Sequence, residues 1–223
     1  MHYPYPMPRS RELLLVRHGQ STANAGGIWQ GQMEFPLSEE GRQQAAMAGV
    51  ALSRERFDGL YSSPLSRAFE TASIIRERTG FGGEVVPVEG LSERSGGLLE
   101  GYTWAEQESR NPEMAKKFLT IPGEERWALV GAETDEDVIA RFGEAIASIS
   151  IRHPEGSRIV IVSHGGVMRA YLRELFGPEV LPGAQRAANA SITRMQWDEA
   201  GPHLLEVAAT SHLAEDPGST TAE

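Results

Sequence analysis

Two of the six histidines in this 223-residue chain stand in the same setting. A short apolar run, LLLV at residues 13–16, leads into Arg17-His18-Gly19, and a second run, RIVIVS at residues 158–163, leads into His164-Gly165-Gly166. An imidazole at the carboxyl end of a buried strand can serve as nucleophile, proton carrier or hydrogen-bond donor. The glycine after it lets backbone N–H groups come close to a bound anion. A helix opening after Gly166 adds the positive end of its dipole. One such histidine alone is more often a hydrogen-bonded core residue. Two of them, each at a strand end and each followed by glycine, point to a shared crevice if their strands are neighbours.

The elements that would position them alternate along the chain. Residues 12–17 form a continuous apolar run, as expected of a strand buried on both faces. Ser38 can cap a helix running to about residue 53, with Glu39 and Glu40 at its positive end. Residues 59–62 and 84–88 are short strand candidates. Between them, Ser63 and Pro64 read as N-cap and first helical residue, and Leu65, Ala68, Ala72 and Ile75 share one helix face. Thr134, with Asp137 three residues on, opens a helix whose apolar stripe is Val138, Phe142, Ala145, Ile146 and Ile149. Residues 158–163 are the strongest strand, 166–176 a helix, and 191–197 with 204–208 a closing hairpin. Such alternation predicts an α/β fold: a three-layer α/β/α sandwich around a mainly parallel central sheet. Ligands of such sheets bind beyond the carboxyl ends of the strands. We expect a single domain over residues 11–213, with a cap-like, partly helical insertion at about 101–131. Residues 1–10 read as a flexible lead-in and 214–223 as a flexible tail.

Composition excludes several classes. Thirty-one acidic against 21 basic residues give a formal charge of −10, without a basic run for nucleic acid or for an anionic membrane surface. Cysteine is absent, so there is no disulfide framework and no thiol nucleophile. The run at residues 13–16 is too short for a signal-peptide core or a membrane span. A cytoplasmic protein is the expectation. Neither H-E-x-x-H nor a P-loop occurs, so no metal and no other cofactor is expected.

The motifs also carry a resemblance. LLLVRHGQSTAN (13–24), WQGQMEFPLSEEG (29–41), SSPLSRAFETA (62–72), LSERSGGLLEG (91–101) and VSHGGVMRAYL (162–172) occur in this order, with NASIT (189–193) as a weaker sixth block. Together they resemble the histidine phosphatase superfamily, which includes cofactor-dependent phosphoglycerate mutases and many phosphatases. The resemblance implies the phosphoglycerate mutase-like version of the fold. It assigns the nucleophile to His18, as a phosphohistidine, with its other ring nitrogen held by a backbone carbonyl. Arg17 and Arg67 would clamp phosphate oxygens, because guanidinium matches phosphate in a bidentate fork. His164 would donate to the same phosphate, and Asn24 would add a neutral donor. Glu93 matches the general acid, which protonates the leaving oxygen and then takes a proton from water. Glu100 belongs to the structural L-E-G closure. Gly19, Ser21, Thr22, Gln30, Gly31 and Gly165 match positions lining the pocket, and Arg94 and Arg169 could add positive charge there. Trp29, Met33, Trp104 and Trp127 either wall the leaving-group site or pack as plain core.

The activity implied is a metal-independent phosphomonoesterase acting on a phosphorylated small metabolite. A mutase shares the chemistry but needs a longer, more basic insertion and typically H-G-N where this chain has His164-Gly165-Gly166. The Glu93-Arg94 pair occurs in mutases as well. A catalytically silent scaffold would lack His18, Glu93 or His164, and all three are present. A homodimer is the commonest assembly for a soluble oligomer. An acidic chain that binds an anion must gather its cations into one pocket.

Overall fold

The computed structural model describes residues 10–121, 125–181 and 187–214. The expected lead-in and tail, apart from Ser10 and Ala214, lie outside the described residues, as does Pro122 within the insertion. From the amino end run β1 (Arg11–Arg17), α1 (Thr22–Ala25), α2 (Glu39–Leu52), β2 (Gly59–Ser62), α3 (Ser66–Thr79) and β3 (Val85–Pro87). Then come α4 (Trp104–Arg110), α5 (Pro112–Thr120), α6 (Glu125–Leu129), α7 (Asp135–Ser150), β4 (Arg158–Ser163), α8 (Gly165–Phe176), β5 (Ile192–Asp198) and β6 (Gly201–Ala209).

The strands make one sheet in the order β3-β2-β4-β1-β5-β6. The first four are parallel, and β5 and β6 add an antiparallel hairpin at one side. Because side chains alternate along a strand, β1 and β4 feed two cores at once. Leu13, Leu15, Ile159 and Ile161 pack with Phe142 and Ile146 of α7 and Met168 and Leu172 of α8. Leu14, Val16, Val160 and Val162 pack on the other face with Ala48 and Leu52 of α2 and Ala68, Ala72 and Ile75 of α3. Each such aliphatic side chain stabilises the fold by roughly 1.5–3 kcal/mol when fully buried. The result is the three-layer α/β/α sandwich.

Several boundaries differ from expectation. Helix α3 starts at Ser66 with Leu65 at its N-cap, not at Ser63 and Pro64. Ser63 instead prolongs the sheet, its N–H donating to the Val162 carbonyl 2.9 Å away, and its hydroxyl faces a histidine described below. The third strand is also shorter than read, ending at Pro87.

Between residues 101 and 131 the described segments carry the short helices α4, α5 and α6. Leu99, Phe118, Val130 and Ala132 make a third apolar cluster, with Trp29, Trp104 and Trp127 packed against it. Trp29, Phe118 and Trp127 meet edge to face, an arrangement favoured by aromatic quadrupoles. Three of the four candidate wall residues thus pack against this third cluster, while Met33 is 44% exposed.

Candidate active site

Strands β1 and β4 are adjacent and in register, with Arg17 opposite Ser163. The next residue on each, His18 and His164, therefore emerges at the same carboxyl edge. Their rings lie 5.0 Å apart, centroid to centroid. Both are buried, His18 at 2% and His164 at 0% exposure. Gly19 shapes this edge: a Cβ there would sit 2.2 Å from the Gly41 carbonyl oxygen, so only glycine lets α2 start against the strand end.

The His18 tautomer follows from its neighbour. Nδ1 lies 2.6 Å from the Gly19 carbonyl oxygen, which can only accept, so Nδ1 carries the proton and Nε2 keeps its lone pair. Burial first, then the Arg17 and Arg67 guanidiniums, hold His18 well below the ordinary imidazole pKa, against an opposing pull from the Gly19 hydrogen bond. The ring is neutral at pH 7, as a nucleophile must be.

His164 is fixed in the complementary way. Its Nε2 lies 2.8 Å from Ser63 Oγ, and that hydroxyl oxygen accepts the Leu65 N–H. When the Ser63 hydroxyl donates to Nε2, the His164 proton stands on Nδ1. Burial, followed by Arg67, His18, Arg17 and Arg141, pushes His164 well below its usual pKa. His164 Nδ1 and Arg67 Nε are buried without a hydrogen-bond partner among the described residues. An orphaned buried donor costs roughly 1–3 kcal/mol, so two of them beside one crevice mark a site built for an acceptor-rich ligand.

Arg67 reaches the crevice from the first turn of α3. It is wholly buried, and its Nη groups donate to the carbonyls of Met33 and Gly31 at 2.8 Å each. Burial lowers its pKa, while Glu93, Glu34 and Glu100 pull it back up. Arg17 donates to the Ala187 carbonyl, and Gly165 leaves room for it: a Cβ there would lie 3.1 Å from Arg17 Nε.

Glu93 sits at the N-terminus of α8. Its carboxylate accepts the N–H groups of Gly166 (2.9 Å), Val167 (2.8 Å) and Arg94 (2.8 Å). The helix end expected to face a bound anion directly is therefore occupied by this side chain. A Cβ on Gly166 would come within 2.6 Å of Glu93 Oε1, so glycine is what admits the carboxylate.

The remaining sequence candidates fall into two groups. Ser21, Asn24 and Gln30 form a ring around the short helix α1: Ser21 Oγ donates to Gln30 Oε1 and accepts the Asn24 N–H, and Asn24 Oδ1 accepts the Ser21 N–H. Asn189 joins it, donating to Asn24 Oδ1 and to the His18 carbonyl. The Asn24 amide is thus turned so that its NH2 is the end left for other acceptors. Gly31 contributes its carbonyl to Arg67. Arg94, by contrast, is engaged away from the crevice, with the Glu133 carbonyl and the Asp135 carboxylate, and lies over the Trp127 ring. Thr22 is exposed, Arg169 is half-buried on α8, and Glu100 ties two loops by accepting the Gly96 and Gln32 N–H groups.

The sequence pattern assigns Ser63 to a helix cap rather than to the site, and gives Arg141 and Glu133 no role. Arg141 carries no motif signal; it stands beside Phe142 on the rim of the α7 apolar stripe, where a charged residue reads as solvated surface. Among the described residues, no group of three or more His, Cys, Asp or Glu side chains is placed to hold a metal ion, and no helix is long and apolar enough to cross a membrane.

Residues 13–210 match the family described as the histidine phosphatase superfamily, branch 1. A metal-independent phosphoserine phosphatase of Arabidopsis thaliana is 41% identical over 170 residues, covering 73% of this chain and 68% of that protein. Phosphoglycerate mutase-like protein 4 of the same plant is 37% identical over 212 residues, covering 92% and 87%. Among solved structures, a mycobacterial glucosyl-3-phosphoglycerate phosphatase with VO3 superposes with a TM-score of 0.76 at 30% identity, covering 91% of this chain and all of that one.

Proposed function

Because the chain belongs to the histidine phosphatase superfamily, we propose that it hydrolyses the phosphomonoester of a small metabolite through a phosphohistidine formed on His18. The observation that carries this reading is the His18 ring itself: neutral, with Nδ1–H anchored on Gly19 and Nε2 left free to attack phosphorus. Arg17 and Arg67 hold the phosphoryl oxygens, and the His164 Nδ1–H donates to one of them as charge builds in the transition state. Glu93 gives a proton to the departing oxygen. It then takes one from the water that releases phosphate from His18. No step calls for a metal or another cofactor. The 41% identity to a phosphoserine phosphatase makes phosphorylated small hydroxy acids, phosphoserine first, the substrates to try. A cysteine-free chain suits the reducing cytoplasm, which we take as its compartment.

The test is hydrolysis of p-nitrophenyl phosphate and phosphoserine in EDTA. Wild-type protein turns over both, and His18→Ala lowers kcat/KM by at least roughly 10³-fold, as loss of a nucleophile does. Absence of turnover at every pH from about 5 to 8, where imidazole changes charge, would sink the reading. A phosphoglycerate mutase remains the second reading, favoured by the mutase-like relative of nearly equal length. Scoring phosphoglycerates with bisphosphoglycerate separately for phosphate release and for isomerisation decides between them. The engagement of Arg94 with Asp135 and Glu133 supports the hydrolase, since that guanidinium is not presented to a second anionic group.

A further inference from the structure

Glu93 stands on a segment that has no regular structure of its own, between two short 3-10 turns (Glu89–Leu91 and Gly97–Leu99). A loop carrying a proton donor must still be held to within a fraction of an ångström, because small misplacements are costly in rate. Besides the N–H groups on the Glu93 carboxylate and the Gln32 amide 3.0 Å from the Glu93 carbonyl, one guanidinium supplies that restraint. Arg141 Nη1 donates to the carbonyls of Gly90 (3.1 Å) and Ser92 (2.7 Å), and Nη2 to the carbonyl of Glu93 itself (2.9 Å). Its Nε and Nη2 also meet the two oxygens of Glu133 at 2.8 and 2.9 Å. All five N–H groups are thus accounted for. Glu133 closes the other side, accepting the Ser95 N–H at 2.7 Å and returning its own N–H to the Ser95 carbonyl at 3.0 Å. The segment is also seated directly on α7, where a Cβ on Gly90 would lie 2.8 Å from Ala145 Cβ and 2.9 Å from the Arg141 carbonyl.

Resting on the reading of Glu93 as general acid, we infer that Arg141, locked by Glu133, is the positioning residue for proton delivery to the leaving group. Its hydrogen bonds reach none of Arg17, His18, His164 or Arg67, so it touches the phosphate site only through its charge, which helps keep His164 neutral. Its role is to set where the Glu93 carboxyl stands between the helix end and the departing oxygen. A lysine cannot reproduce the fork, because it presents three donors from a single point.

This role has a kinetic signature that a general structural role lacks. In kcat/KM, which reports phosphoryl transfer to His18, proton delivery matters for an alkoxide leaving group and hardly at all for p-nitrophenolate. The experiment compares wild type, Arg141→Lys, Arg141→Met, Glu133→Gln and Glu93→Gln on a series of alkyl and aryl monophosphates with leaving groups of graded basicity. The Arg141 variants are expected to lose about 10²-fold in kcat/KM for alkyl esters but only about threefold for p-nitrophenyl phosphate, in line with the usual worth of general-acid catalysis. Their plots of log kcat/KM against leaving-group pKa steepen, as that of Glu93→Gln does. Glu133→Gln, which keeps size and an acceptor oxygen, steepens the plot to a smaller degree. Equal losses across the series would overturn the proposal and mark Arg141 as a residue of general stability. A plot indistinguishable from wild type would overturn it as well. Failure of wild type on every ester would instead overturn the hydrolase reading beneath it.

Discussion

At the scale of single residues, the site is defined by which nitrogen bears a proton. His18 and His164 carry the proton on the same nitrogen, Nδ1, but have different nitrogens engaged: the Gly19 carbonyl takes Nδ1 of His18, and the Ser63 hydroxyl takes Nε2 of His164. One ring offers a lone pair and the other an N–H, and both are neutral because burial and neighbouring guanidiniums disfavour the charged form. That has a consequence for stability. In the unfolded chain both rings take up protons as pH falls below about 6.5, whereas in the fold they do so only at lower pH. The unfolded state then binds more protons, so stability is fully present above that pH and falls below it, by up to about 1.4 kcal/mol per pH unit for each ring. Urea unfolding between about pH 6.5 and 5 is expected to show this decline, with a shallower slope in His18→Ala than in wild type. A stability flat over that window would contradict the neutral assignment of both rings.

At the scale of elements, the site depends on close approaches between a helix end and a strand end. Gly166 is the sharpest case, since an added Cβ meets only the flexible tip of Glu93. Gly166→Ala is therefore expected to displace the carboxylate while leaving the melting temperature within a few degrees of wild type. The drop in kcat/KM for an alkyl phosphate should be about 10²-fold, the scale of a one-ångström misplacement. Wild-type kcat/KM in that variant would show that Glu93 does not act from the α8 terminus. The same distinction explains what could be read in advance. β1 and β4 were legible because a strand buried on both faces is an unbroken apolar run, and their glycine-flanked histidines marked the edge. The α7 start was legible because Thr134 and Asp137 cap each other locally. The start of α3 was not, because the Ser63 hydroxyl answers to a histidine from another strand rather than to its own helix. The bounds of the small helices α4–α6 were equally hidden: Trp29, far away in sequence, packs against Phe118 of α5 and Trp127 of α6. Arg141 escaped notice for the same reason, since its partners are carbonyls of a loop that has no pattern.

At the scale of the whole molecule, a chain of net charge −10 collects Arg17 and Arg67 at a buried crevice while Glu34, Glu93 and Glu100 surround Arg67. Attraction for a phosphate dianion is confined to the crevice, and the outer field opposes approach. Raising ionic strength to about 0.15 M, where the Debye length is about 8 Å, weakens that outer repulsion more than the contact inside. The expectation is that kcat/KM for an anionic substrate stays level or rises with added NaCl. A steep fall would show that long-range steering is at work after all.

Two hydrogen bonds around the two histidines also span the polypeptide. Ser63 lies 101 positions from His164, and Asn189 reaches back 171 positions to the His18 carbonyl. No stretch that leaves the ribosome early, and no proteolytic fragment ending before Asn189, contains a complete reaction centre. Turnover therefore certifies synthesis past Asn189: a chain that stops short of it is inert toward the phosphoesters around it.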